Sequence, residues 1–386
     1  MASNVEIMAE HIVAQADMFD KYAQGLYEKC LTFLTKANKK INKVYITGCG
    51  DSYFAGVCVR DFFIKNTGLH TEAWQALEFS RYVLPQEVDE NSLVISISAS
   101  GSVARTAECA IRAGELNALS VGITTNPESR LAKLSPQLLY IELEENLGLA
   151  PGTQSYCASL LSLYCLACSL GKINGKLSDK EVEEIFAYIS EICKAMRLTA
   201  KNDSSLIRKY VETCFGEKAI NPINMYHVLG SGPNFGTANF GVMKLLEAAG
   251  FDSLAQGIEE WAHSQYFTTK PSTHTIILGA KGESHERAKE ILSAVSVMNG
   301  KKIIIGEEND SELKDNADVY IPICGMDNIK EEYSGLIYCI PLELLAMHIS
   351  DVVGHSGFQF EEKPWIKEEN FKQIFHSRIV KLKDED

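Results

Sequence analysis

The chain has 386 residues, of which 46% are hydrophobic, and a formal net charge of −14 at pH 7. This length predicts two or three domains. The negative charge argues against binding to nucleic acids or to an anionic membrane surface. No apolar run reaches the roughly 18 residues that a membrane span needs. Met1–Glu10 carries two glutamates and no basic cluster, which is not typical of a signal peptide.

Cysteine usage favours a reducing compartment, and we expect a cytoplasmic protein. The chain has 11 cysteines, an odd number, and most of them lie in apolar segments. Cys165 and Cys168 form one Cys-x-x-Cys pair inside the apolar run Leu160–Leu170. A metal or redox pair is the alternative, but no second pair accompanies it, so two buried helical cysteines are favoured.

The predicted elements alternate between helices and strands. Residues 5–39 are predicted to form two helices, because apolar residues recur at spacings of three and four. Four strands separated by helices follow: Val44–Thr47, Val94–Ser98, Leu119–Thr124 and Leu138–Leu143. Such alternation indicates an α/β fold with a parallel sheet covered by helices on both faces.

A loop rich in serine and glycine follows the strand Val94–Ser98. The loop continues through Ala99, Ser100, Gly101 and Ser102 into residues typical of a helix. The free N–H groups of a first helical turn and the helix dipole attract an anion. The hydroxyl groups of Ser98, Ser100 and Ser102 would add donors. The alternative is an ordinary helix N-cap, where serines are common.

A second loop of this kind follows the strand Val44–Thr47. It reads Gly48-Cys49-Gly50-Asp51-Ser52 and leads into a helix that runs through Phe62. The glycines allow a sharp turn and a close approach to a ligand. Tyr53 replaces the third glycine of a dinucleotide fingerprint, and the lysine of a P-loop is absent. Two such loops after two parallel strands predict one small phosphorylated ligand held between them.

The second half of the chain repeats this pattern. Tyr226–Leu229 precedes Gly230-Ser231-Gly232-Pro233, at an offset of 182 residues from the first glycine loop. Further strands are predicted at Thr275–Leu278, Lys302–Ile305 and Val319–Ile323. A repeat this long indicates duplicated domains. At the same offset Ala280-Lys281-Gly282 replaces Ser98-Ala99-Ser100, so the second copy lacks the serine loop.

The boundary between the two domains is predicted at a polar stretch. Residues 201–204 separate two predicted helices, Asp179–Met196 and Ser205–Phe215. Residues 1–203 would then contain the N-terminal helices and the domain with the serine loops. Residues 204–386 would contain the second domain and a C-terminal tail.

Two pairs of polar residues in the second half could carry chemistry. Lys244 and Glu247 share one face of a helix predicted from Phe235 to Ala249, which ends at Gly250. A solvated ion pair is the alternative and, from the pattern alone, the favoured one. Glu260 and His263 also share a helical face, and for His263 a structural histidine is the favoured alternative.

Together these motifs resemble the sugar isomerase (SIS) domain family. The resemblance rests on Gly48-x-Gly50-x-Ser52, Ser98-x-Ser100-Gly101 and Gly241 to Glu247, with His263 sixteen residues later, and extends over about residues 44–350. It is nearest to the isomerase half of glucosamine-6-phosphate synthase and to the related ketosamine 6-phosphate deglycases and deaminases. The resemblance implies two flavodoxin-like three-layer αβα domains with parallel sheets, usually in a homodimer.

The resemblance also implies roles for individual residues. The sugar phosphate would be held by Gly50, Ser52, Ser98, Ser100, Gly101 and Ser102, and the sugar would lie beside Thr153, Gln154 and Lys244. Glu247 matches the general base that moves a proton between C1 and C2. His263 matches the histidine that opens the ring or protonates the leaving group, often from the partner subunit. No metal or cofactor is implied.

The chain departs from the family pattern at several positions. Ala99 replaces the glutamine of Ser-Gln-Ser-Gly, Val103 replaces the threonine that follows, and Ser264-Gln265 replace Gly-Pro after the histidine. The tail from Phe360 to Asp386 matches the synthase poorly and offers no equivalent of its Schiff-base lysine. The start, Met1-Ala2-Ser3, lacks the cysteine and the domain that release ammonia from glutamine.

These departures favour a deglycase or deaminase that acts on a 6-phosphorylated ketosamine. The alternatives are an aldose–ketose phosphosugar isomerase and a regulator that binds sugar phosphates without catalysis. A homodimer with shared sites is also expected, because Phe251, Trp261, Tyr266 and Phe267 are aromatic residues of the kind enriched at interfaces. The alternative is that these aromatics fill the core of their own subunit.

Overall fold

The computed structural model describes residues 3–143, 150–217, 223–355 and 364–384. The chain divides into two compact units. The first-sheet unit combines residues 18–144, 154–188 and 363–386. The second-sheet unit combines residues 1–17, 145–153 and 189–362. Residues 360–363 and 385–386 of the predicted tail lie outside the described residues.

The first-sheet unit is built on five parallel strands. They are β1 (Lys43–Gly48), β2 (His70–Gln75), β3 (Ser92–Ile97), β4 (Leu119–Thr124) and β5 (Gln137–Tyr140). Their order is β2-β1-β3-β4-β5, the order of flavodoxin-like sheets. The helices are α2 (Asp51–Thr67), α3 (Ala76–Glu78), α4 (Leu84–Glu87), α5 (Ala104–Glu115), α6 (Arg130–Leu134) and α7 (Gln154–Ile173), with a π-helical turn at Phe79–Val83 and a helix at Pro364–Phe375.

The second-sheet unit repeats this plan. Its strands are β6 (Met225–Leu229), β7 (Ser253–Gln256), β8 (Thr273–Gly279), β9 (Lys301–Glu307) and β10 (Val319–Ile323). Their order, β7-β6-β8-β9-β10, is again the flavodoxin order. The helices are α9 (Pro233–Ala249), α10 (Ile258–His263), α11 (His285–Val297), α12 (Ser311–Lys314) and α13 (Cys339–Val353). Two parallel α/β sheets of one topology confirm the predicted fold class.

Each core lies against its own sheet. In the first-sheet unit α2 packs on α7, where the rings of Phe62 and Tyr164 meet edge to face at 4.7 Å. In the second-sheet unit a Cβ atom added at Gly241 of α9 would lie 2.5 Å from Leu342 of α13, so only glycine permits this approach. These contacts hold the helices that follow β1 and β6 against their neighbours.

Two predicted helix breaks are wrong. Asn4–Ala37 forms the single helix α1, and Asp179–Phe215 forms the single helix α8. The polar stretch 201–204 contains neither glycine nor proline, so nothing in it prevents helical backbone. Asp203 is in fact 1% exposed and packs inward. The predicted domain boundary near residue 203 therefore falls within a helix.

The sheets also correct the offset of the duplication. Lys43 of β1 aligns with Ser92 of β3, whereas Met225 of β6 aligns with Thr273 of β8. Strand β6 is therefore offset from β1 by 182 residues, but β8 is offset from β3 by 181 residues rather than 182. The equivalents of Ser98, Ser100 and Gly101 become Gly279, Lys281 and Gly282. The second copy still lacks the serines, but it keeps the glycine.

Two apolar helical stretches correct the expectation that no run suits a membrane span. Gln154–Ile173 and Glu331–Val353 are long and apolar enough to cross a bilayer. However, 89% and 83% of their apolar windows are buried inside the fold, as in core helices. Cys165 and Cys168 lie in the first stretch, both fully buried and free. Their burial in α7 confirms the prediction of two buried helical cysteines, and burial also raises the pKa of the Cys168 thiol to about 12.

Candidate functional site

The two predicted phosphate loops lie side by side. Strands β1 and β3 are direct parallel neighbours, so the loops that follow them leave the same edge of the sheet. The strand order reverses direction between β1 and β3, which makes this the topological switch point. Ligands of open α/β sheets bind at this point, outside the carboxyl ends of the strands.

Ser98 directly follows β3 at the base of the first loop. Its side chain is buried, and its Oγ atom makes no hydrogen bond within the described part of the chain. An unpaired buried hydroxyl costs free energy, and native structures keep few of them. Its backbone N–H donates to Ile123 at 3.0 Å, which fixes the position of the residue.

Gly101 shapes the same loop. Its φ of +64° lies in the left-handed region, and a Cβ atom would come within 1.9 Å of Ser129 Oγ. Its N–H donates to the carbonyl oxygen of Ser98 at 2.9 Å. Above it, the Ser102 N–H donates to Ser100 Oγ at 3.3 Å, and Ser100 is exposed. The loop is thus a tight turn with two hydroxyl groups near its surface.

The helix after this loop is not capped by a serine. Val103 is the N-cap residue of α5, and its side chain makes no cap hydrogen bond. The reading of the loop as an ordinary serine N-cap is therefore wrong. The N–H groups of this 12-residue helix remain available to an anion at its N-terminus.

The glycine loop after β1 reaches the same edge. A Cβ atom at Gly48 would lie 2.8 Å from Ser52 Cβ, so this glycine lets the loop close onto the first turn of α2. Gly50 is the N-cap, with φ of +54°, and nothing lies within 4 Å of the position its Cβ would take. Ser52 is 8% exposed at the second position of α2. Gly50 thus faces open space.

The C-terminal tail lies along α5 in the first-sheet unit. The Arg112 Nε–H donates to the Val380 carbonyl at 2.8 Å, and the Val380 N–H donates to Glu108 at 2.8 Å. Glu108 is fully buried and also binds Arg81 and Arg105. Burial alone would raise its pKa, but hydrogen bonds from Arg81 and Val380 outweigh this effect and hold the pKa below its ordinary value.

Thr153 and Gln154 lie at the junction before α7. Thr153 is fully buried, and its Oγ1 atom has no hydrogen-bond partner among the described residues. Gln154 is 6% exposed and begins α7. Their predicted place beside a sugar stays a prediction.

Lys244 and Glu247 form an ion pair on α9, but it is not the solvated pair that the pattern favoured. The Nζ–Oε2 distance is 2.5 Å, the lysine side chain is fully buried and the glutamate side chain is 40% exposed. Lys244 also lies 5.2 Å from the centre of the Phe240 ring and 3.5 Å from the Gly152 carbonyl oxygen. A buried ammonium group needs such a partner.

His263 lies at the surface of the second-sheet unit. Its side chain is 66% exposed, at the end of α10, and it pairs with Glu259 at 3.2 Å rather than with Glu260. Arg287 binds the same carboxylate at 2.6 Å, and Arg287 together with His263 lowers the pKa of Glu259. The histidine is therefore no structural core residue.

Trp261 and His227 anchor the helix that carries His263, and the sequence analysis did not single out this contact. Trp261 is fully buried, and its indole N–H donates to His227 Nδ1 at 3.3 Å. Burial lowers the pKa of His227 to about 4, so its imidazole is neutral at physiological pH. Trp261 packs in the core of the second-sheet unit, which contradicts the expectation that it lies at a subunit interface. Phe267 is 73% exposed and keeps that expectation open.

Within the described ranges, no group of three or more histidine, cysteine, aspartate or glutamate side chains is arranged to hold a metal ion. The phosphate loops lie in the first-sheet unit, whereas Lys244, Glu247 and His263 lie in the second-sheet unit.

Comparison with known proteins places these loops in a family. Residues 38–169 match the SIS domain. A glutamine–fructose-6-phosphate aminotransferase (isomerizing) from Zymomonas mobilis is 25% identical over 316 residues, which are 82% of this chain and 50% of that protein. The chain thus spans about half the length of the curated relatives it matches.

Solved structures share the fold over nearly the whole chain. The C-terminal domain of a glucosamine-fructose-6-phosphate aminotransferase from Francisella tularensis has a TM-score of 0.76 and 20% identity, covering 90% of this chain and 96% of its own. A glucosamine-6-phosphate deaminase from Thermotoga maritima has a TM-score of 0.65 and 21% identity, covering 90% and 97%. At these identities the likeness establishes the fold alone.

Proposed function

We propose that this chain, in which residues 38–169 belong to the SIS domain family, is an enzyme that processes 6-phosphorylated sugars. The finer proposal is a deglycase or deaminase for a 6-phosphorylated ketosamine. One observation supports the binding of a sugar phosphate most strongly. The buried Ser98 hydroxyl, which has no partner among the described residues, lies at a switch point beside the uncapped N-terminus of α5.

The phosphate end of the substrate accounts for that observation. A phosphate oxygen would give Ser98 Oγ the partner it lacks and would accept from N–H groups of the first turn of α5. Ser100, Ser102 and Ser52 would supply further hydroxyl donors, and the open space at Gly50 would admit the ligand. Such neutral donors suit a chain whose net charge is −14.

Glu247 is the proposed general base. Its exposed carboxylate can reach a substrate, while buried Lys244 holds it in one orientation. It would remove a proton from C1 of the ketosamine and return it to C2, while the N–H proton passes to the C2 oxygen; the C2 ketone thereby becomes an alcohol and the C1–N single bond becomes an imine. One water molecule then splits the imine into an aldose 6-phosphate and a free amine. A positioned base contributes about 10²–10⁴-fold to the rate.

His263 is the proposed acid, acting in the active site of a partner subunit. Its 66% exposed side chain and the neighbouring 73% exposed Phe267 form a surface of the kind that a homodimer buries. The imidazole would protonate the ring oxygen or the leaving amine. Glu259 pairs with it at 3.2 Å.

An aldose–ketose isomerase is the second candidate. The same proton shift between C1 and C2 interconverts a ketose and an aldose phosphate without water or amine release. The word isomerizing in the name of the Zymomonas mobilis relative supports this candidate. A non-catalytic regulator would keep the phosphate loops and would use Glu247 only as the partner of buried Lys244.

The test is a substrate panel with the purified chain. Fructosamine 6-phosphates, fructose 6-phosphate and their unphosphorylated forms would be incubated with the protein, and free amine and aldose phosphate would be measured. Amine release from phosphorylated ketosamines alone supports the deglycase. Aldose formation from fructose 6-phosphate supports the isomerase, and binding without turnover supports the regulator. Equal handling of phosphorylated and unphosphorylated sugars would contradict all three.

A further inference from the structure

The second sheet has a switch point of its own. Strands β6 and β8 are direct neighbours, and the order of the sheet reverses between them, as it does between β1 and β3. The loops after β6 and β8, residues 230–232 and 280–284, therefore flank the position at which such sheets bind ligands. The serines of the first half are missing there.

The backbone of the first half is nevertheless repeated. Gly232 has φ 54° and ψ −132°, and its equivalent Gly50 has φ 54° and ψ −130°. Both are N-caps of 17-residue helices without a side-chain cap. By strand register Gly282 is equivalent to Gly101, and Glu283 is equivalent to Ser102. The two loops of the second half thus keep the two glycines.

A carboxylate of the chain itself lies between these loops. The Glu283 N–H donates to Glu331 Oε2 at 3.1 Å. A Cβ atom at Gly282 would lie 2.2 Å from Glu331 Oε2, and one at Gly232 would lie 3.8 Å from Glu331 Oε1. The carboxylate therefore binds the second loop and lies close to Gly232 of the first.

The first half provides the internal comparison. No described atom lies within 4 Å of the position that a Cβ of Gly50 would take, whereas Glu331 Oε1 lies 3.8 Å from the corresponding position at Gly232. The N-cap of the 13-residue helix α11 is Ser284, whose side chain makes no cap bond, and the carboxylate accepts from Glu283, the residue just before this N-cap. An anion at that end is stabilised by the helix dipole.

We propose that the second half contains a latent phosphate site, which the Glu331 carboxylate fills in place of a phosphate group. Because this internal anion occupies the switch point of the second sheet, each chain binds phosphosugar only at the switch point of the first sheet. The comparison of the halves rests on the proposed function, but the contacts of Glu331 do not. Removal of the Glu331 side chain opens the second site to a phosphate group.

Lys281 supplies a positive charge to this site. It stands at the position equivalent to Ser100, and its Nζ atom lies 3.4 Å from the buried carboxylate of Glu307. Glu307 also accepts from the Asn328 and Ile329 N–H groups at 2.6 and 2.8 Å, so its charge does not depend on the lysine alone. Lys281 can therefore also interact with a bound phosphate group.

The experiment is calorimetric titration of the full chain with inorganic phosphate at constant ionic strength. We expect the parent to bind one phosphate per chain and Glu331→Ala to bind two. Adding Lys281→Ala to Glu331→Ala should weaken the new site at least about tenfold, since it removes a charged donor. Adding Ser98→Ala instead should weaken only the original site.

Glu332→Ala is the matched control, because it removes the neighbouring carboxylate of the same 3₁₀ turn, Glu331–Leu336. It should leave one site. Glu331→Gln, with the same shape and no charge, is the second variant if Glu331→Ala unfolds. A folded Glu331 variant that binds no more phosphate than the parent would overturn the inference, as would an equal gain in Glu332→Ala. The parent could instead bind no phosphate while the Glu331 variant binds one phosphate at a site that depends on Lys281. That result would overturn the proposed function but not this inference.

Discussion

Lys244 and Glu247 form an ion pair of unequal exposure: the lysine is fully buried, and 40% of the glutamate side chain is exposed, over a distance of 2.5 Å. A buried ammonium group is stable only beside a negative partner. Glu247 therefore stabilises buried Lys244, and its partly exposed side chain is the proposed general base. The two roles predict different effects of mutation.

Glu247→Gln keeps the shape and removes the proton acceptor. We expect turnover to fall on the order of 10²-fold or more, with substrate affinity changed only a few-fold. Single-turnover kinetics and a binding titration would separate the two quantities. Glu260→Gln, at an exposed glutamate of α10, is the control. Turnover of Glu247→Gln close to that of the parent would reduce Glu247 to a partner of Lys244.

Ser98→Ala should separate stability from binding. The buried hydroxyl has no hydrogen-bond partner among the described residues, so its removal should leave the melting temperature unchanged or raise it. Phosphosugar binding should weaken by about 1.5–3 kcal/mol, the range for a hydrogen bond to a charged group. Ser120→Ala removes another buried, unpartnered hydroxyl on β4 and should change neither binding nor stability much. Unchanged affinity in Ser98→Ala would remove Ser98 from the site.

Asp203 gives the chain a predicted pH dependence. Burial, and then the charge of Glu308, raise the pKa of this carboxyl from 3.8 to about 7, although Cys324 opposes the shift. Between these pH values the folded state binds more protons than the unfolded state, so stability decreases as pH rises. Asp203→Asn removes this titration. The stability of Asp203→Asn relative to the parent should increase between pH 4 and pH 7, by on the order of a few kcal/mol. Above pH 7 this difference should stay constant.

Denaturant unfolding at pH 5 and pH 8 would measure this difference. Asp315→Asn, at an exposed aspartate, is the control and should show no such trend. An advantage of Asp203→Asn that is equal at both pH values would show that Asp203 is ionised throughout this range.

Val380→Pro tests the attachment of the tail to α5. Proline has no N–H group, so the hydrogen bond to the fully buried Glu108 carboxylate is lost. We expect a loss of about 1.5–3 kcal/mol in the stability of the first-sheet unit, measured by thermal unfolding. Val380→Ala keeps the N–H group and should cost far less. Equal effects of the two substitutions would assign the loss to the valine side chain.

The sequence predicted the central strands and the edge strands β5 and β10, but it did not predict the edge strands β2 and β7. β1, β3 and β4 are apolar because helices cover both of their faces. β2 reads His70-Thr71-Glu72-Ala73-Trp74-Gln75 and β7 has four residues, and both are edge strands whose polar residues hide the pattern. Their existence follows only from the topology of the sheet.

The loop glycines could be predicted from the sequence for a physical reason, whereas the contacts of buried and polar side chains could not. Gly50 and Gly101 must be glycine because their φ angles are positive, so the sequence reveals them directly. The contacts of Glu331 with Gly282 and of Trp261 with His227 join residues 49 and 34 positions apart, beyond any local periodicity. The burial of Lys244 likewise depends on Phe240 and Gly152, of which only the first is on its own helix.

The last prediction is that the active site is shared between subunits, because His263 is 66% exposed and points away from its own core. Glu247→Gln and His263→Ala would be prepared as inactive proteins and mixed under conditions of subunit exchange. If each site takes Glu247 from one chain and His263 from the other, a mixed dimer has one intact site and one that lacks both groups. Half of the dimers in a random mixture are mixed, so about a quarter of the parental activity should return, for independent sites in a symmetric dimer. If both residues come from one chain, no mixed dimer has an intact site. Subunit exchange confirmed with labelled chains, but without recovered activity, would therefore exclude the shared site.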